Sequence, residues 1–191
     1  MFEHVTILLS FVYAVALTHL LSSTTELVIA RKRVRFSGLY ALWVFNALLL
    51  LLTNWLSFWG LAGLRRWTVA EVVLQFACAI VQYFCCSTFR ISEGRDEAVD
   101  LPELYKERRP VIFSAFLALC VIAAFQNWWD RNNYAGFGPG DWIGEDLTIV
   151  PMAIAFVLAG WARPPWLQWT AAIAILGLSV FWLETYTLPG G

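Results

Sequence analysis

Residues 5–35, VTILLSFVYAVALTHLLSSTTELVIARKRVR, decide the reading of this chain. Residues 5–30 are predominantly apolar, with only His19 and Glu26 strongly polar and ionisable near neutral pH, and four bases follow within five positions. An apolar run longer than about 20 residues is long enough to cross the roughly 30 Å hydrocarbon core as a helix. A cluster of Arg and Lys directly after it marks a cytoplasmic loop. Met1-Phe2-Glu3-His4 supplies no positive n-region and no small-residue cleavage site follows, so the first helix is expected to be retained.

Working outward, runs of spanning length recur at about 38–60, 68–89, 110–129, 146–162 and 165–186. The fifth is short and holds Pro151 in its first turns. Pro164-Pro165 forces a tight turn before the sixth, because proline cannot continue the preceding helix. The whole chain, 1–191, therefore reads as one all-α domain, a polytopic transmembrane bundle of about six spans. Charged residues make up 14% of the chain, well below the roughly 25% of a soluble domain, and mean hydropathy is +0.64. The deficit runs along the full length, so lipid is the expected solvent.

The loops after spans one, three and five carry Arg31, Lys32, Arg33, Arg35, Arg90, Arg95, Lys106, Arg108, Arg109 and Arg163; the other side has Arg65, Arg66 and Arg131. Ten against three puts the odd-numbered loops in the cytoplasm and both termini outside it. Eleven tryptophans accompany the spans. Interfacial belts account for them, with Trp55, Trp59, Trp67, Trp128, Trp129, Trp142 and Trp182 at the outer level and Trp43, Trp161, Trp166 and Trp169 at the inner one. Asp100 is placed to cap a short helix over 101–109 that Pro110 would end. The outer stretch 130–144, rich in Gly and Asn, reads as a link or as a lid. Asn54-Trp55 and Asn127-Trp128 give a faint parallel repeat that interfacial Trp alone can produce.

Two sets of polar residues lie inside the spans, where they are costly and mark a candidate site. On the first helix His19, Ser22 or Ser23, and Glu26 share one face. On the third, Glu71, Gln75, Cys78, Gln82 and Cys85 step by four, three, four and three into one seam. Counted from the cytoplasmic ends, His19 and Cys78 fall at similar depth, so the faces of helices 1 and 3 are expected to meet. His19, Ser23, Glu26, Glu71, Gln75, Cys78 and Gln82 would then line a polar path, or else hold the helices together by hydrogen bonds. The four cysteines, Cys78, Cys85, Cys86 and Cys120, read as small packing residues, since vicinal Cys85-Cys86 disfavours a disulfide and no metal spacing occurs.

Inventory removes several chemistries. Both lysines, Lys32 and Lys106, lie in loops, so no Schiff base forms in the bundle. His4 and His19 are about 22 Å apart on one helix, too far to share a haem or a metal. No nucleophile elbow, Walker loop or Rossmann loop is present, and a net charge of -1 argues against nucleic acid. An enzyme is not expected, nor is a cofactor or a metal.

The elements His19-Leu20-Leu21, the basic turn 31–35, Leu42-Trp43, the Trp55 to Trp59 cluster and Tyr105 to Arg109 resemble an uncharacterised family of bacterial six-helix inner-membrane proteins over about the first two-thirds of the chain. That family carries no assigned activity, so the resemblance implies a bacterial cytoplasmic membrane and nothing further. Two functions fit the residues. One is a small channel, transporter or solute-binding protein, as a homo-oligomer, with a polar path between helices 1 and 3. The other is a non-catalytic accessory subunit of a larger membrane complex.

Overall fold

A computed structural model describes residues 2–29, 31–63, 67–90, 99–133 and 141–185. Six helices account for most of them: α1 (Phe2–Ile29), α2 (Gly38–Ser57), α3 (Val69–Ser87), α4 (Leu101–Asn133), α5 (Asp141–Trp161) and α6 (Pro165–Thr185). Five are long and apolar enough to cross a membrane, while the apolar part of α5 is the shorter Thr148–Trp161. The molecule is an all-α bundle, and its outward faces carry Ile7, Phe11, Val73, Phe84, Val121, Ile154 and Phe181 exposed. Such a surface suits hydrocarbon, not water.

Local signals set the starts. Ser37 caps α2, its hydroxyl accepting from the Tyr40 amide at 3.3 Å. Thr68 and Glu71 form a reciprocal capping box at α3: the Thr68 hydroxyl accepts from the Glu71 amide at 3.3 Å and the Glu71 carboxylate from the Thr68 amide at 2.8 Å. A 3-10 segment, Phe58–Gly63, tightens the chain after α2.

The helices close into a ring in the order α1, α3, α4, α5, α6, α2, and α2 also reaches α3 and α4. At its centre Trp43 meets Phe113 edge-on with centroids 4.6 Å apart, and Phe116 stacks on Phe156 at 4.9 Å. Trp43 is fully buried, which corrects its reading as an inner-belt anchor. Position near a helix end says nothing about which way a ring points, and Trp43 shares the inward stripe of Tyr40, Ala47 and Leu50. Trp161, Trp166 and Trp169 are exposed, as a belt requires.

Two further expectations change. Asp100 does cap, its carboxylate accepting from the Glu103 amide at 3.3 Å, but Pro110 does not end the helix. The α4 helix runs on for 33 residues, about 50 Å at 1.5 Å per residue, well beyond the hydrocarbon thickness. Pro110 removes one backbone bond, yet contacts on both sides of it fix α4 in place. Helix α4 runs to Asn133 and α5 starts at Asp141, so of the link expected over 130–144 only 134–140 remains, outside the described residues. A small parallel bridge, β1 (Val34–Arg35) on β2 (Val99–Asp100), also joins the loops after α1 and α3.

Candidate functional site

The seam expected between α1 and α3 exists as a tight pairing of two helices. They run parallel: the Tyr13 hydroxyl lies against the Cys78 thiol, and further along the Tyr83 hydroxyl is 3.5 Å from His19 Nε2, the rings edge-on at 5.5 Å. His19 thus meets Tyr83, and Cys78 meets Tyr13. Their depths differ by more than a turn from the sequence expectation because the helices are offset along the axis.

The stripe on α3 is its inward face. Glu71, Cys78, Gln82 and Cys85 are buried and Gln75 is half-buried. The polar groups turn to different partners. Glu71 is engaged in the capping box at the helix start. Gln82, fully buried, turns to α2: its carbonyl accepts from Asn54 Nδ2 at 2.6 Å and its amide donates to Cys86 Sγ at 3.7 Å. On α1, Ser23 is buried and its hydroxyl donates to the His19 carbonyl at 3.0 Å. Glu26 is exposed, on an open groove lined by Thr18, Leu21, Ser22, Thr25 and Glu26, all residues of α1. His19 therefore meets α3, Ser23 is buried but bonds within its own helix, and Glu26 lies outside the seam. Asn54, Tyr13 and Tyr83 are the partners that sequence reasoning missed. Asn54 stood out only within the faint Asn-Trp repeat, and the tyrosines, largely apolar apart from one hydroxyl, gave no polar signal.

A second polar layer lies at the end of the bundle that carries the basic loops. Arg108 Nη1 donates to the Thr88 carbonyl at 3.3 Å and to the Arg90 carbonyl, just past the end of α3. Arg109 Nη1 donates to the Ala162 carbonyl at 3.1 Å, just past the end of α5, and Gln168 Nε2 donates to the same oxygen at 2.9 Å. Each guanidinium thus sits at the negative end of a neighbouring helix, where a cation is favoured. Tyr105 donates to Gln168 Oε1 at 2.7 Å, Tyr40 to the Phe89 carbonyl at 2.9 Å, and Arg35 pairs with Asp100 at 3.0 Å. These residues lock α4 to the ends of α3, α5 and α6. In the sequence Arg35, Arg108 and Arg109 stood out only as loop charges and Asp100 only as a helix cap.

Deeper, between α2 and α6, Asn46 Nδ2 donates to the Ala172 carbonyl at 2.9 Å. Asn46 and Ser179 are both fully buried. The four cysteines are buried free thiols, which agrees with packing residues. Among the described residues no three of His, Cys, Asp or Glu converge as metal ligands.

Comparison with family models, curated proteins and solved structures gives no match.

Proposed function

We propose that this chain is a non-enzymatic, multi-pass subunit of the bacterial cytoplasmic membrane, with both termini outside the cytoplasm, whose role is assembly within a larger membrane complex. The observation that carries this reading is the Asn54–Gln82 hydrogen bond at 2.6 Å. The most buried amide of the α3 stripe binds a neighbouring helix and, through its NH2, the sulfur of its own helix. Other polar contacts between helices are of the same kind: Asn46 to α6, Tyr105 to Gln168, and the two arginines on helix ends. Interhelical bonds of this type contribute about 0.6–1.7 kcal/mol each and fix which helices adjoin. A bundle made mostly of apolar helices fits a structural neighbour of other subunits. Purification in mild detergent followed by native mass spectrometry tests the reading. A second membrane protein at fixed stoichiometry is expected; the chain alone, or only as copies of itself, overturns it.

The His19–Tyr83 contact favours a second reading, a polar path between α1 and α3 for a proton, a cation or a small polar solute. Under it, His19→Ala changes flux in liposomes that hold the purified chain. Wild-type liposomes no leakier than empty ones exclude it.

A further inference from the structure

From the turn between α5 and α6 we infer that the bundle binds an anionic phospholipid there, its phosphate on Arg163 and its acyl chains along the outward faces of the two helices. Arg163 is the only charged residue in the stretch 147–183. It is exposed and, among the described residues, makes no ion pair. Other bases at this end of the bundle have acids of their own chain at hand. Arg35 pairs with Asp100 and Lys106 with Glu103, and Glu26 lies five residues before Arg31. A second guanidinium stands beside the turn: Arg109 Nη1 donates at 3.1 Å to the carbonyl of Ala162, the residue before Arg163. Tyr105, one turn before Arg109 and so on the same face of α4, donates to Gln168 of α6. Glu103 and Glu107 fall about 200° round the helix from Tyr105 and are exposed, on the side turned away from the α5–α6 hairpin. Two guanidinium groups therefore meet at one turn, with no carboxylate facing them among the described residues.

Charge calls for an anion at this turn, and the surface beside it calls for acyl chains. Two outward stripes run up to Arg163 from the hydrocarbon: Ile154, Val157 and Trp161 on α5, and Ile173, Trp169 and Trp166 on α6, all exposed. Each stripe reaches the turn through tryptophan, the side chain that favours the headgroup level. The Trp169 ring lies against Gly38 of α2, 3.3 Å from where a Cβ would stand, so α2 bounds the surface on that side. A planar guanidinium binds two phosphate oxygens at once, and basic groups at the headgroup level of a helix bundle select anionic lipid. A free phosphate would meet the same guanidinium and gain nothing from the apolar stripes.

The inference rests on membrane insertion and not on the assembly role, which co-purifying subunits test and lipid binding does not. The full-length chain, stripped of lipid in mild detergent, is titrated with phosphatidylglycerol or with phosphatidylcholine of the same acyl chains, and bound lipid is counted by native mass spectrometry. The first phosphatidylglycerol should bind at least about fivefold more tightly than the first phosphatidylcholine, and added salt should reduce that preference. Arg163→Gln should abolish it. Lys32→Gln, which removes the same charge from the same end of the bundle, should leave it intact. Both positions are exposed, so the bundle's own packing is untouched. Equal binding of the two lipids by the wild-type chain overturns the inference, as does an equal loss in the two variants. Displacement of phosphatidylglycerol by millimolar inorganic phosphate also overturns it, since the site would then take the ion alone.

Discussion

Gln82 shows how much one buried amide determines. Its side chain is fully enclosed, accepts from Asn54 and reaches Cys86. Replacing one partner leaves the other amide buried in an apolar bundle, where a missing hydrogen bond costs more than the bond itself contributes. Asn54→Ala and Gln82→Ala should each lower stability against denaturing detergent by about 1–3 kcal/mol. The double variant should lose less than the sum, with a coupling of about 0.6–1.7 kcal/mol; strictly additive losses would mean that the two amides do not interact. The sequence made the Gln82 stripe legible because a helical period fixes which side of α3 turns inward. It left the partner open because no period says which helix stands opposite. For the same reason Trp43 was misplaced: its depth was readable, its direction was not.

Among the elements, α4 departs furthest from its sequence pattern. Pro110 is a local stop signal, and the residues before it are charged, so 101–109 reads as a separate cytoplasmic piece. What overrides the signal is non-local: Arg108 and Arg109 hold the carbonyl ends of α3 and α5, and Tyr105 holds Gln168. Arg108→Ala and Arg109→Ala should each cost about 1 kcal/mol through the lost interaction with a helix end. A thermal shift in detergent reads this, and Lys106→Ala, whose ion pair with Glu103 is exposed, should leave the transition unmoved. The α4–α5 contact is less forgiving. A Cβ on Gly160 would lie 3.1 Å from Phe113 Cβ, and Phe113 is wedged between Trp43, Tyr105, Phe116 and Phe156 with no exposed surface. Gly160→Ala should therefore destabilise the bundle by about 1–3 kcal/mol, the usual cost of overpacking. Gly177→Ala on α6, with no atom within 4 Å, should be neutral or slightly stabilising.

For the whole molecule, the spans were legible because hydrocarbon imposes a length and a polarity on each crossing helix. The ring order and the basic-end clamp were not, since they follow from which side chains meet after insertion. Orientation can be tested by an impermeant thiol reagent on intact cells. Thr185→Cys, at the end of α6, should react from outside, and Lys32→Cys only after the membrane is opened; the reverse pattern would invert the topology. The role proposed for the deep polar groups requires an α1–α3 seam that is dry as well as closed. Cys78 sits in that seam, buried against Tyr13, and reports directly on its wetness. With the wild-type chain folded in lipid nanodiscs, a charged methanethiosulfonate reagent should leave Cys78 unmodified, as read by peptide mass spectrometry. Rapid labelling of Cys78 in the folded protein would show water running between the helices and contradict the adhesive role of their polar side chains.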